Sequence, residues 1–191
     1  YCMSGNVAEM VYYVDENKKP GTMGGSWTSL PNEIKINGED KYKGLTNASV
    51  DVGFRPVITF LGREYKKEIT VTPPGTAKVN ANFYVDKTEV TNFNWQEYLS
   101  WIVRNKGKTS MDYKNALPDT TVWANDIENG NPYVKHYFSH PAYNNYPVVG
   151  VTYEQVLSFC KWRTDRVKEL YELEKVKNKK DIYPINFIYR L

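Results

Sequence analysis

The chain has 191 residues, with 25 Lys and Arg against 22 Asp and Glu for a formal charge of +3. That length suits one domain, and the charge is too small and too evenly spread for an electrostatic nucleic-acid binder. Hydrophobic residues make up 41% of the chain, yet the longest apolar runs are far short of the ~20 residues a membrane-spanning helix needs. Sixteen Tyr beside five Trp and seven Phe point to half-buried rings with hydroxyls in polar contact. Disorder over most of the chain and a disulfide-dense scaffold are both excluded. Cys2 and Cys160, the only cysteines, either form one bridge or remain two free thiols. No basic segment followed by an apolar one opens the sequence, so no signal peptide is expected in it, which leaves the compartment open.

In chain order, Met10-Val11-Tyr12-Tyr13-Val14 and Gly53-Phe54-Arg55-Pro56-Val57-Ile58-Thr59-Phe60 read as strands. Between them, Gly24-Gly25-Ser26-Trp27 reads as a bend and residues 31–47 as a long polar loop. Ile69-Thr70-Val71-Thr72 is a strand candidate stopped by Pro73-Pro74-Gly75, and Phe83-Tyr84-Val85-Asp86 is another. Thr91 is a good N-cap for a helix over residues 92–105 carrying Leu99, Ile102 and Val103, and Gly107 ends it. Thr152 and Gln155 form a capping box. Val156, Phe159, Cys160, Val167, Leu170 and Tyr171 then recur at helical spacing, and residues 175–180 are a basic solvated end. Residues 108–150, loaded with Pro, Asn, Asp and Tyr, read as one long irregular region. The expected class is α+β, with two main helices, short twisted antiparallel strands and much irregular structure.

The residues themselves name no active site. His136 and His140 are the only histidines and stand four apart, but no Glu follows the first in the metalloprotease manner and Pro141 opposes a continuing helix. Ordinary loop or packing histidines are the expected reading. No strained strand–turn–helix serine elbow occurs, and the Gly24-Gly25 bend lacks the Lys of a phosphate loop. Cys160 falls on an apolar helix stripe, so a buried inert thiol is expected; Cys2, beside a turn, is the more accessible of the two.

Several segments together resemble the formylglycine-generating enzyme (sulfatase-modifying factor) superfamily. Gly5-Asn6-Val7-Ala8-Glu9-Met10-Val11 is similar to its GNVWEWV, Gly24-Gly25-Ser26-Trp27 to its GGSW, and Gly53-Phe54-Arg55-Pro56-Val57 to its closing GFR strand. The run from Phe83 to Asn92 resembles the opening FYIDKYEVTN. Tyr146 to Thr152 with Phe159-Cys160-Lys161-Trp162 resembles YPVVGVSW…FCKW, and Tyr189-Arg190-Leu191 resembles the YRL that follows. The resemblance implies a variant of the C-type lectin fold, with Phe83 to Val85 near the Gly53 to Phe60 strand. It also implies one domain over residues 1–191, but in an unusual order. Residues 1–60 correspond to the family's C-terminal part, 83–191 to its N-terminal part, 61–82 to a junction, and the family's middle segment is absent. A circular permutation, a junction of tandem domains, or two pieces of one longer chain set end to end would each give this order, and the missing middle favours the third.

The family's enzymes carry a copper-binding cysteine pair a few residues after GGS. Here Thr28-Ser29-Leu30-Pro31 follow, and no cysteine recurs until Cys160. A soft copper(I) site without thiolates has no suitable ligands, so no copper and no formylglycine-generating activity are expected, and no residue is named catalytic. The family's structural calcium is a separate matter. By resemblance, the carbonyls of Gly5 and Val7 and the carboxylate of Glu9 fall on calcium-ligand positions, and oxygen ligation suits that ion. The fourth position, usually Asn or Asp, is Cys2 here. The competing reading has Glu9 accepting backbone hydrogen bonds in a tight turn.

Within the superfamily, three segments resemble the gliding-motility and type IX secretion lipoproteins of Bacteroidota. These are Leu117 to Trp123, Tyr137 to Tyr143, and Asn145 to Gly150. The resemblance implies a non-catalytic scaffold, exported to the periplasmic face of the outer membrane or the cell surface, assembling with protein partners in a homo- or hetero-oligomeric ring. A lipid anchor would lie outside these residues. A Tyr-, Trp- and Pro-rich segment over 108–150 then reads as a protein contact surface, against the plainer reading that its aromatics cover the core. An oxidase or other modifying enzyme and a lectin-like ligand-binding module are the alternatives.

Overall fold

A computed structural model describes residues 5–12, 20–35, 38, 40–61, 72–80, 82–126, 131–178 and 186–191. The chain divides into two compact units, Tyr1–Phe54 with Thr88–Val156 and Arg55–Lys87 with Leu157–Leu191.

In the first unit, β1 (Ala8–Val11) alternates buried Ala8 and Met10 with half-buried Glu9 and Val11, the period-two pattern of a strand with one covered face. It is the middle of a three-stranded sheet, antiparallel to β2 (Gly21–Met23) and parallel to β3 (Val52–Phe54). The parallel pair corrects the expectation of antiparallel strands alone. Roughly 40 residues separate β1 from β3, room for the crossover that parallel pairing requires. The strand also begins two residues before the expected Met10, and Tyr12 lies beyond its end. Residues 13 and 14 are outside the described residues.

Gly53 sits where a Cβ would come within 2.8 Å of Val7 Cγ2 and 3.2 Å of the Val148 carbonyl, so this close approach admits no side chain. Helix α1 (Asn92–Lys106) runs one residue past its expected end. It starts in a reciprocal capping box of Thr91 and Asn94 and stops at Gly107. Its buried Trp95, Tyr98, Leu99 and Ile102 follow the i, i+3, i+4, i+7 stripe. Trp95 meets Phe54 edge-to-face at 5.9 Å and donates its indole N–H to the Ala116 carbonyl at 2.9 Å.

Among the described residues the 108–150 stretch is not one irregular region, which corrects that expectation and adds three short helices to the two main ones. It holds α2 (Met111–Ala116), α3 (Val122–Asp126), α4 (Asn131–His136) and a 3-10 turn (Pro141–Tyr143). Three side chains cap local turns here. Ser110 accepts from the Tyr113 amide, Asp119 from the Thr121 amide and hydroxyl, and His140 from the Ala142 amide. Gly150 closes the stretch at φ +73°. Its carbonyl accepts from Asp119 N–H and its own N–H donates to Ser49 O, while a Cβ there would stand 2.3 Å from the Asp119 oxygen.

In the second unit, β5 (Thr76–Asn80), β6 (Phe83–Asp86), β4 (Val57–Phe60) and β7 (Phe187–Arg190) form, in that order, an antiparallel four-stranded sheet. The expected single strand over 53–60 is thus two, broken at Arg55-Pro56, where proline has no N–H to give a ladder. The anticipated neighbourhood of the two segments is realised, with Val57 opposite Val85 and Ile58 opposite Tyr84. Of the strand expected over 69–72, residues 69–71 lie outside the described residues and Thr72 is not in a strand. The strand instead follows Pro73-Pro74-Gly75.

Helix α5 (Tyr153–Asn178) opens with the predicted Thr152 and Gln155 box, in which each side chain accepts from the other's amide. In the second unit its Phe159, Cys160, Thr164, Val167 and Tyr171 are buried, whereas Leu170, expected on the same stripe, is 42% exposed. Thr164 Oγ1 accepts from the Tyr189 amide at 2.9 Å and donates to the Cys160 carbonyl, tying β7 to the helix. The side chains of 175–180 lie outside the described residues.

Asp86, 7% exposed in its side chain, pairs with Arg163, and its carbonyl accepts from Arg55. Arg163 also donates to Pro74 O and lies 4.5 Å from the Tyr189 ring. The second Asp86 oxygen is buried without a donor. Burial outweighs the opposing pull of Arg163 and Arg55 and pushes this carboxyl up to about 6 from 3.8. An acid whose native value is raised takes up its proton in the folded state first. Stability from this group is therefore fully present below about pH 4 and is lost as pH rises through about 6. In urea unfolding, wild type should gain roughly 1–1.5 kcal/mol over Asp86→Asn on going from pH 7.5 to pH 5; a constant gap between the two would refute the raised value.

Candidate functional site

The first unit gathers the aromatic residues of the 108–150 stretch around one short helical turn. Tyr133, His136, Tyr137 and His140 recur at helical spacing, and the turn persists beyond α4 through Tyr137 N–H to Tyr133 O and His140 N–H to His136 O. Tyr137 and Trp123 point inward, 4.5 Å apart, into a cluster with Val7, Val50 and Val149. The Tyr137 hydroxyl donates to Pro147 O, and burial, then Tyr146 and Glu89, raise its pKa. Pro132, Tyr133, His136, His140, Ala142 and Tyr143 instead line an open depression of about 450 Å³.

The floor of this depression is fastened to the start of α1. Asn92, fully buried, donates its two side-chain hydrogens to the carbonyls of Tyr137 and Tyr143, each at 3.0 Å. The amides of Asn92 and Phe93 donate to the carbonyls of Tyr146 and Asn144, so the loop satisfies N–H groups that any helix start leaves orphaned. Gln96 adds a bond to Phe138 O at 2.6 Å.

The two histidines stand with ring centroids 6.1 Å apart at 87°. His140 Nδ1 accepts from the Ala142 amide at 3.2 Å, which in the neutral ring puts the proton on Nε2. Nε2 is then a donor, and metal ligation through it would cost the cap. Among the described residues no group of three His, Cys, Asp or Glu side chains converges on a metal position.

A second cluster follows the Gly24-Gly25 bend, where Gly5 N–H meets Gly24 O as expected of backbone approaching backbone. Buried Ser26 has its Oγ 2.9 Å from Thr28 Oγ1 and 3.0 Å from the Tyr42 hydroxyl, and the last two stand 3.3 Å apart. Lys41 donates to Thr28 Oγ1 at 3.5 Å, and the Ser26 amide to Ser29 Oγ at 2.9 Å.

A model of the sulfatase-modifying factor enzyme 1-like domain family matches residues 59–191, more than two-thirds of the chain. The chain belongs to that family. No curated protein and no solved structure matches it. In the resemblance drawn above, the hydroxyl cluster of Ser26, Thr28, Ser29 and Tyr42 occupies the segment where the family's copper enzymes have their cysteine pair. Hydroxyls and one ammonium are hard groups and do not fit copper(I). Cys160 is a free thiol, 2% exposed, and burial pushes it up to about 12, far from a reactive thiolate.

Of the positions that the resemblance alone assigns to calcium, Gly5 and Val7 precede β1 and Glu9 lies in it, while Cys2 is outside the described residues. Val7 is buried in the aromatic cluster, and Glu9 stands in register with Met23 and Gly53. Neither the depression nor the hydroxyl cluster is marked as a site by any motif in the sequence. The spacing of Tyr133, His136, Tyr137 and His140 would have disclosed the first, but nothing local links Tyr42 to Ser26.

Asn92→Ala should cost about 1–3 kcal/mol, because the Tyr137 carbonyl loses its side-chain donor while that of Tyr143 keeps the Tyr146 amide. It should also raise hydrogen exchange at Asn92 and Phe93, measured by mass spectrometry; an unchanged melting point would remove Asn92 from its fastening role.

Proposed function

We propose that this chain is a non-catalytic scaffold of the sulfatase-modifying-factor family. It would bind partner proteins through the face built by residues 108–150, exported to the periplasmic face of the outer membrane or to the cell surface. The observation that carries the loss of catalysis is the hydroxyl cluster at Ser26, Thr28, Ser29 and Tyr42 in place of thiolates. Support for the binding role comes from exposed Phe93, Met111, Leu117, Tyr133 and Tyr146 in the same unit, the kind of residues enriched at protein contacts. The closer likeness to gliding-motility and type IX secretion lipoproteins supports the location. Each compact unit joins an early stretch of the chain to a later one, 1–54 with 88–156 and 55–87 with 157–191, which supports a shared origin of these segments whatever their order.

Copper-loaded protein incubated aerobically with a sulfatase-type cysteine peptide should leave the cysteine unconverted by mass spectrometry. A photo-cross-linker placed in living cells at Tyr146, 53% exposed, should capture the same protein as one at Met111. One at Val79, on β5 of the other unit, should not. Formylglycine in the peptide, or identical products from all three positions, would sink the proposal.

Calcium held by the Gly5 and Val7 carbonyls and the Glu9 carboxylate is part of the same reading, on the chemistry of an oxygen donor set. Calcium should raise the melting temperature of wild type and not of Glu9→Gln; equal behaviour with and without the ion would leave Glu9 a structural acceptor.

A further inference from the structure

We infer that the depression beside α4 is a docking slot for an extended, proline-rich segment of a partner protein. This rests on the protein-binding reading above and specifies what is bound. The volume, about 450 Å³, falls within the roughly 300–1,000 Å³ of clefts that hold ligands. Its rings are set edge-to-face, with Tyr133 and Tyr143 at 67°, His140 and Tyr143 at 64°, and His136 and His140 at 87°. Rings at such angles form wedge-shaped slots rather than one flat platform, and a wedge accepts the ridge of a pyrrolidine ring better than a stacked planar group.

The polar groups agree with that occupant. Among the described residues lining the slot there is no carboxylate, ammonium or guanidinium, so no charge selects a phosphate or an acidic peptide. The polar atoms are tyrosine hydroxyls and histidine nitrogens, and the cap on His140 Nδ1 makes its Nε2 a donor. A polyproline II segment presents carbonyls with no internal partner and few N–H groups; it needs donors and few acceptors. The slot is also held in shape by the Asn92 bonds to the Tyr137 and Tyr143 carbonyls. A rigid ligand meeting a rigid slot loses little freedom on binding.

The test is fluorescence anisotropy of a labelled oligoproline peptide titrated with the whole chain, beside a Gly-Ser peptide of equal length and a maltooligosaccharide competitor. Saturable binding of oligoproline alone is expected, weakened about tenfold by Tyr133→Ala and by His136→Ala. Because Tyr133 also packs on Trp123 at 5.2 Å, the exposed His136 is the deciding variant wherever Tyr133→Ala lowers the melting point. Equal affinity for the two peptides, no binding of oligoproline, displacement by the sugar, or indifference to His136→Ala would each overturn the inference. A partner cross-linked from Tyr146 while oligoproline fails would leave the scaffold standing and remove only its proposed occupant. Failure of both would remove the binding role itself.

Discussion

The first turn of a helix carries amide hydrogens that its own carbonyls cannot reach, and in the first unit that constraint organises the chain around the start of α1. At the start of α1 the box of Thr91 and Asn94 supplies part of the answer, and the carbonyls of Tyr146 and Asn144 supply more. Asn92 then uses its side chain to hold the carbonyls of Tyr137 and Tyr143. A loop some 45 residues downstream is thereby fixed to a helix start, and the depression between Tyr133, His136, His140 and Tyr143 inherits its shape from those bonds.

Both long helices were legible in the sequence because their evidence is local: Thr91 before an apolar stripe, and Thr152 three residues before Gln155. The short helices between 108 and 150 were not. At five or six residues each, they are too short to show a period, and isolated helices of that length do not hold in water. What stabilises them is capping by Ser110 and Asp119 and packing of Trp123, Tyr133 and Tyr137, and the packing is tertiary. Strands were legible as apolar runs but not in their breaks, since the split at Arg55-Pro56 depends on which partner each half finds.

Family membership was legible from scattered short motifs, and the family match over residues 59–191 supports it. What those motifs do not convey is how their side chains close on one another. The absence of cysteine after Ser26 is visible in the sequence, but the closing of Ser26, Thr28 and Tyr42 on one another is not, because Tyr42 comes from the far side of a long loop. Likewise the pair of histidines was seen without the tyrosines that share its turn. In both places a residue type was readable and its company was not.

The sealed thiol of Cys160 has a practical corollary. A sulfur this thoroughly enclosed reacts with an alkylating reagent only when its surroundings open. Its rate of modification, read from the mass of the proteolytic fragment that carries it, would thus serve as a clock for the breathing of the sheet-and-helix unit around it.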